Sequence, residues 1–170
     1  MKSLFCSFIV AFLLFSLPVS AQGLPDDGET GLALPRMVSL RSNMINARSG
    51  PGARYPISWV YRQKNAPVEI VAEFDVWRKI KDWKGAESWM HKSMLSGRRT
   101  AKIVSLGESN IYDKPDYNSP VIARAEEEVV GVIEKCPAGK GFCLINFDNT
   151  ITGWVLKSDI FGVYPDEVIN

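Results

Sequence analysis

Residues 46–57 have the sequence Asn-Ala-Arg-Ser-Gly-Pro-Gly-Ala-Arg-Tyr-Pro-Ile and open the segment that decides the fold, 38–95. Further along this segment, residues 68–74 place apolar and acidic side chains on opposite faces, a pattern typical of a half-buried β-strand. Two more short strands, at 76–83 and 88–91, flank a glycine turn and predict a hairpin. The segment contains no amphipathic stretch of helical period, so we expect it to be all-β.

The same order of features recurs in residues 101–163. Trp77 and Phe142 lie 65 positions apart in the chain, and so do Trp89 and Trp154. A repeat of this length is too long for a solenoid unit and fits one small domain. The sequence therefore predicts two small β-barrels in tandem.

The segments outside the two repeats indicate export. Residues 1–21 have a basic start, a short apolar run and small residues before an expected cleavage site, as a signal peptide does. An uncleaved anchor is the alternative. Beyond this segment no run is apolar enough to span a bilayer. We expect a periplasmic or secreted protein with no stable membrane insertion after cleavage, a flexible leader at 22–37, a short linker at 96–100 and a tail at 164–170.

Export makes the cysteines informative. Cys6 would leave with the signal peptide, and Cys136 and Cys143 would remain. An even count in an oxidising compartment predicts a disulfide, here across the turn of a hairpin. A metal pair or a redox site are the alternatives, but the two cysteines lack a nearby histidine and a Cys-x-x-Cys spacing.

Charge and chemistry-bearing residues argue against several classes of function. The chain has 20 basic and 19 acidic residues, so no basic field indicates nucleic acid as a partner. Its one histidine, His91, has no cysteine nucleophile left to activate, because both remaining cysteines are expected to be bonded. We find no cluster with metal-ligand spacing and no phosphate-binding loop, and we expect a protein without enzymatic activity, metal or cofactor.

The quoted opening, with the later Trp77-Arg78-Lys79-Ile80 and Trp89-Met90, resembles the bacterial SH3 (SH3b) domain family. The second repeat is similar but has Tyr112-Asp113-Lys114-Pro115 in place of the opening motif. The resemblance implies small antiparallel barrels of five to seven strands. Members of this family are commonly accessory domains of cell-wall enzymes, and some bind peptidoglycan peptides.

Four residues of the first repeat are candidates for ligand binding: Arg48, Tyr55, Trp59 and Trp83. Arg48 carries a planar donor fork suited to a carboxylate, and the three aromatic side chains offer stacking surface. Trp83 lies beside a predicted turn and corresponds to an aspartate in the second repeat, so the fold does not require it. The other tryptophans match core positions of the family.

These observations lead to two hypotheses of function. In the first, the SH3b pair is a non-catalytic envelope protein that recognises a peptide-type ligand such as peptidoglycan stem peptide. In the second, it is an envelope scaffold that docks another exported protein without binding the wall. Co-sedimentation with isolated cell-wall sacculi separates the two.

Overall fold

The computed structural model describes residues 26–170, and the expected signal peptide lies outside them. The described chain is built from β-strands that form two seven-stranded antiparallel sheets and one small hairpin. The hairpin pairs β1 (Asp26–Asp27) with β2 (Ala33–Leu34). No helix in this part of the chain is long and apolar enough to cross a membrane. The predicted all-β class is therefore confirmed.

The first sheet has the strand order β5-β4-β8-β7-β6-β3-β9. Its strands are β3 (Arg36–Leu40), β4 (Ile45–Arg48), β5 (Ile57–Tyr61), β6 (Pro67–Phe74), β7 (Trp77–Lys81), β8 (Glu87–His91) and β9 (Leu95–Ser96). The long β6–β7 hairpin turns at Asp75, whose φ of 50° is left-handed. A short 3-10 turn, Lys92–Met94, connects the last two strands.

The second sheet repeats this topology strand for strand, with the order β12-β11-β15-β14-β13-β10-β16. Its strands are β10 (Thr100–Ile103), β11 (Ser109–Tyr112), β12 (Val121–Ala125), β13 (Val130–Lys135), β14 (Phe142–Phe147), β15 (Ile151–Leu156) and β16 (Ile160–Phe161). A 3-10 turn, Lys157–Asp159, again precedes the last strand. The two sheets are consistent with two SH3-like domains.

Each sheet closes around its own apolar core. In the first, the most deeply buried side chains include Leu40, Ile80 and Met90; in the second, they include Ile145 and Val155. Ile80, Met90, Ile145 and Val155 alternate with more exposed neighbours along their strands, as the period of a half-buried strand requires. Burial of such side chains is the main source of stability for domains of this size.

The N-terminal region differs from the flexible leader expected at 22–37. Residues 26–34 fold back as a hairpin onto the β6–β7 turn, where the backbone N–H and hydroxyl of Thr30 donate to the Glu73 carboxylate. Arg36 and Arg78 also form ion pairs with Glu73, whose side chain is 1% exposed. The buried anion gives this segment fixed partners, which composition alone did not indicate.

The C-terminal segment is equally well packed. Arg99 donates to both carboxylate oxygens of Glu167 and to the Gly162 carbonyl. The backbones of Cys136 and Ile169 exchange a pair of hydrogen bonds, so the end of the chain adds a bridge beside the β13–β14 hairpin. A disulfide joins Cys136 and Cys143 across the same hairpin, which confirms the predicted bond.

Candidate ligand-binding groove

A groove with a volume of about 550 Å³ lies where the first sheet meets the second. Strand β5 and the β7–β8 turn form one wall, and strand β10 with the β12–β13 turn forms the other. The groove is lined by Trp59, Val60, Tyr61, Arg62, Gln63, Asp82, Trp83, Lys84, Ala86, Lys102 and Glu128. The first repeat supplies nine of these residues and the second supplies Lys102 and Glu128.

The wall from the first repeat is held rigidly by Asp82. The Tyr61 hydroxyl donates to the Asp82 carboxylate at 2.9 Å, and the backbone N–H groups of Lys84 and Ala86 donate to its other oxygen. Burial and the neighbouring Asp82 charge raise the pKa of Tyr61 well above its usual value, so the hydroxyl stays protonated. These bonds fix the turn that carries Trp83 at the side of the groove.

Lys102 is the central charge of the groove and its side chain is 1% exposed. Its Nζ atom lies 2.7 Å from Gln63 Oε1 and 3.5 Å from the centre of the Trp83 ring. The Glu128 carboxylate is the acidic group of its ion pair, at 3.6 Å. Burial lowers the pKa of the Lys102 ammonium, and the Glu128 charge opposes this effect.

Gln63 connects the two sheets through both ends of its amide. Its oxygen accepts from Lys102 and its nitrogen donates to the Glu128 carbonyl at 3.0 Å. A second bridge is formed by Tyr164, whose hydroxyl donates to Glu69 of β6 at 2.9 Å. The Gln63 contacts tie the groove walls together directly, and the Tyr164 contact joins the C-terminal segment to the first sheet.

Two of the four predicted site residues line this groove. Trp59 is 56% exposed on edge strand β5, and Trp83 is partly buried beneath Lys102. Both belong to the groove lining, so the structure brings these two aromatic side chains to one surface.

Arg48 and Tyr55 lie elsewhere, in the opening loop. Arg48 Nη1 donates to the Tyr55 carbonyl at 2.7 Å, which closes that loop. The Tyr55 ring packs so tightly on Gly50 that a Cβ atom there would lie 2.5 Å from it. Arg54 stacks over the same ring at 5.2 Å. In the structure these residues maintain the loop conformation and do not contribute to the groove.

His91 holds a turn in place. Its Nδ1 accepts from the Ser93 backbone N–H at 3.2 Å and lies 2.7 Å from the Ser93 hydroxyl, so it caps the 3-10 turn after β8. Its ring also packs edge-on against Trp77 at 5.7 Å. Among residues 26–170, no group of three or more His, Cys, Asp and Glu side chains is placed to hold a metal ion.

The groove has a mixed chemical character. Arg62, Lys84 and Lys102 supply positive charge, Asp82 and Glu128 supply negative charge, and the two tryptophans supply apolar surface. A volume of about 550 Å³ lies within the range typical of small-ligand sites. This combination is suited to a short ligand that carries both charges and apolar groups.

The fold and the groove define a small β-barrel protein with a candidate binding groove between its two repeats. Residues 41–97, which include most of the first repeat, match the family model of the bacterial SH3 domain. Such domains are generally binding modules. A comparison with curated proteins finds no match.

Solved structures with similarity to the chain include two NlpC proteins from Trichomonas vaginalis. NlpC2 shares 18% sequence identity with a TM-score of 0.33, over 75% of this chain and 48% of that one. NlpC1 shares 16% identity with a TM-score of 0.34, over 85% of this chain and 50% of that one. The chain thus spans about half the length of these structures.

Proposed function

We propose that this chain is a non-catalytic, exported envelope protein that binds a peptide-type ligand, such as peptidoglycan stem peptide, in the groove between its two repeats. The observation that carries the proposal is the composite groove itself. It brings Trp59 and Trp83 of the bacterial SH3 domain together with Lys102 and Glu128 of the second repeat.

The chemistry of a stem peptide suits this lining. Such a peptide carries free carboxylates, an amino group and small apolar side chains within a few residues. Lysine and arginine side chains of the groove can pair with the carboxylates, and the half-exposed Glu128 can pair with the amino group. The exposed face of Trp59 can cover the apolar parts of the peptide.

Co-sedimentation with purified sacculi tests this proposal, with residues 22–170 as wild type and as Trp59→Ala. Aromatic anchors often contribute about 2 kcal/mol or more to binding, so we expect the variant to lose roughly tenfold or more in affinity. Tyr117→Ala is the matched control, because Tyr117 is 68% exposed and lies outside the groove lining. It should bind as wild type does.

A wild-type protein that sediments no better than a charge-matched unrelated protein would contradict wall binding. Equal losses in Trp59→Ala and Tyr117→Ala would place any binding outside the groove.

The alternative, docking of another exported protein, is favoured by the apolar side chains on the edge strands. Ile57, Trp59 and Val60 of β5 are exposed, and so are Val121 and Ile122 of β12. Exposed apolar edges are common sites of protein association. Native affinity capture with wild type and Trp59→Ala tests this candidate. A stoichiometric exported partner retained by wild type alone, without sacculus binding, would favour it.

A further inference from the structure

The carboxylate of Glu128 holds an unusual position at the rim of the groove. Glu128 lies in the β12–β13 turn and has a left-handed φ of 71°, which few non-glycine residues adopt. Its side chain is 51% exposed, yet it extends toward the buried Lys102 at 3.6 Å and toward Lys84 at 3.5 Å. Glu128 therefore reaches into the groove from the solvent side.

Lys102 is incompletely paired for a buried ammonium. Of its three N–H donors, one reaches Gln63 at 2.7 Å, and the Trp83 ring covers another side of the group. Glu128 lies at 3.6 Å, which is longer than an ordinary hydrogen bond. A buried charge is stabilised best by a close anion, so Lys102 retains unused capacity to bind a carboxylate.

From this arrangement we infer that Glu128 occupies, in the free protein, the place where a carboxylate of a bound peptide pairs with Lys102. In this scheme Lys102 selects carboxylate-bearing ligands, and Glu128 is an internal competitor that the ligand displaces. For a stem peptide the inference rests on the proposed function of the same groove.

The geometry supports displacement in two ways. Because Glu128 reaches Lys102 from the exposed side, a carboxylate arriving through the groove can follow the same approach. The half-exposed Glu128 side chain can return to water. The arriving carboxylate then replaces it as the anion beside the buried Lys102, so the ammonium is not left unpaired.

The test compares wild type, Glu128→Gln and Glu127→Gln by following the tryptophan indole N–H signals in NMR titrations. Glu127 lies in the same turn, so its variant controls for the general loss of one negative charge. The probes are the stem tetrapeptide L-Ala–γ-D-Glu–meso-diaminopimelate–D-Ala, the same peptide with amidated carboxylates, and N-acetylglutamate, which is not a wall peptide.

We expect Glu128→Gln to bind the free-acid tetrapeptide and N-acetylglutamate about two- to fivefold more tightly than Glu127→Gln does. The amidated peptide should show no such gain. Adding Lys84→Gln to Glu128→Gln should leave the gain in place, because Lys102 remains.

Equal affinities of Glu128→Gln and Glu127→Gln for both carboxylate probes would overturn the inference, and so would a gain that Lys84→Gln abolishes. If neither carboxylate probe binds any variant, the inference also fails. A gain seen with N-acetylglutamate but not with the tetrapeptide would leave Lys102 as the carboxylate site and contradict the stem-peptide function alone.

Discussion

The β6–β7 hairpin of the first sheet and the β13–β14 hairpin of the second have the same place in the topology but are reinforced differently. In the first, the buried Glu73 carboxylate binds Thr30, Arg36 and Arg78. In the second, a disulfide between Cys136 and Cys143 closes the hairpin. One repeat uses an ion cluster where the other uses a covalent bond.

In both cases an end of the described chain completes the reinforcement. Thr30 of the N-terminal hairpin reaches Glu73, and Ile169 near the C-terminus pairs with Cys136. The comparison teaches that a small barrel can supplement the stability of its limited core with either an ion cluster or a disulfide. The two respond to different conditions. The ion cluster depends on protonation and on each partner, whereas the disulfide depends on oxidation.

The largest effect on the difference between the two hairpins is expected for Glu73→Gln, which neutralises the ion cluster. The substitution leaves Arg36 and Arg78 without their buried anion, and breaking such a pair costs about 3 kcal/mol or more. We expect the first sheet of this variant to unfold at a much lower urea concentration than that of wild type. The indole N–H signals of the first repeat's tryptophans report this transition.

The matched control is Glu87→Gln, which removes an exposed ion pair with Lys79 on the same sheet and should cost less than about 1 kcal/mol. Similar midpoints for the two variants would show that the cluster contributes no more than a surface pair.

The second sheet is tested by Cys143→Ser. Opening the short loop between the cysteines should lower the free energy of unfolding by about 2 kcal/mol in the chain-entropy model. The indole signal of Trp154 reports this sheet in urea titrations. Reductant should shift the Trp154 transition of wild type to the same extent and leave that of Cys143→Ser unchanged. A wild-type transition that ignores reductant would contradict a stabilising bond.

Acid should weaken the ion cluster. Until Glu73 is fully protonated, the free energy of unfolding lost in acid should be smaller than that lost in Glu73→Gln. Burial alone would raise the pKa of the Glu73 carboxyl, but hydrogen bonds from Arg36 and Thr30 outweigh it and hold the pKa below its usual value. Its contribution is complete above the unfolded-state pKa of about 4.3 and is lost as pH falls through the lower folded-state pKa.

The stability of Glu73→Gln should therefore depend less on pH below about 4.3 than that of wild type. Glu87→Gln should retain the wild-type slope. Urea midpoints measured between neutral pH and about pH 3 provide this comparison, and parallel slopes for wild type and Glu73→Gln would refute it.

The sequence was sufficient for the fold because the repeat is strong. The alternation in residues 68–74 is a local signal, and Trp77–Phe142 and Trp89–Trp154 have equal spacing. Together they predict the hairpins that the structure contains. The disulfide was predicted from the expected export and an even cysteine count, and the structure contains it. The ordered N-terminal hairpin could not be predicted, because Thr30 and Glu73 are 43 positions apart and neither forms part of a motif.

The groove was only partly predictable for the same reason. Trp59 and Trp83 belong to the repeat with the recognisable motif, and their aromatic chemistry singled them out. Lys102 follows an ordinary linker, and its partner Gln63 is 39 positions away, so only packing of the two sheets brings them together. Arg48 had suitable chemistry, but its side chain donates to the Tyr55 carbonyl of its own loop and lies outside the groove lining.

The smallest effect concerns the contact that joins the two reinforced repeats. Tyr164→Phe removes the hydroxyl that donates to Glu69, and a hydrogen bond of this kind contributes about 0.5–1.5 kcal/mol. Burial and the Glu69 bond raise the pKa of Tyr164 well above its usual value, so the donor persists through the neutral range.

Because this bond joins different repeats, its loss should separate the urea transitions of Trp154 and the first-repeat tryptophans. Tyr117→Phe, at an exposed position without this contact, should leave both transitions unchanged. Transitions that remain equally spaced in Tyr164→Phe would show that the contacts of Gln63, Lys102 and Glu128 are sufficient to couple the two sheets.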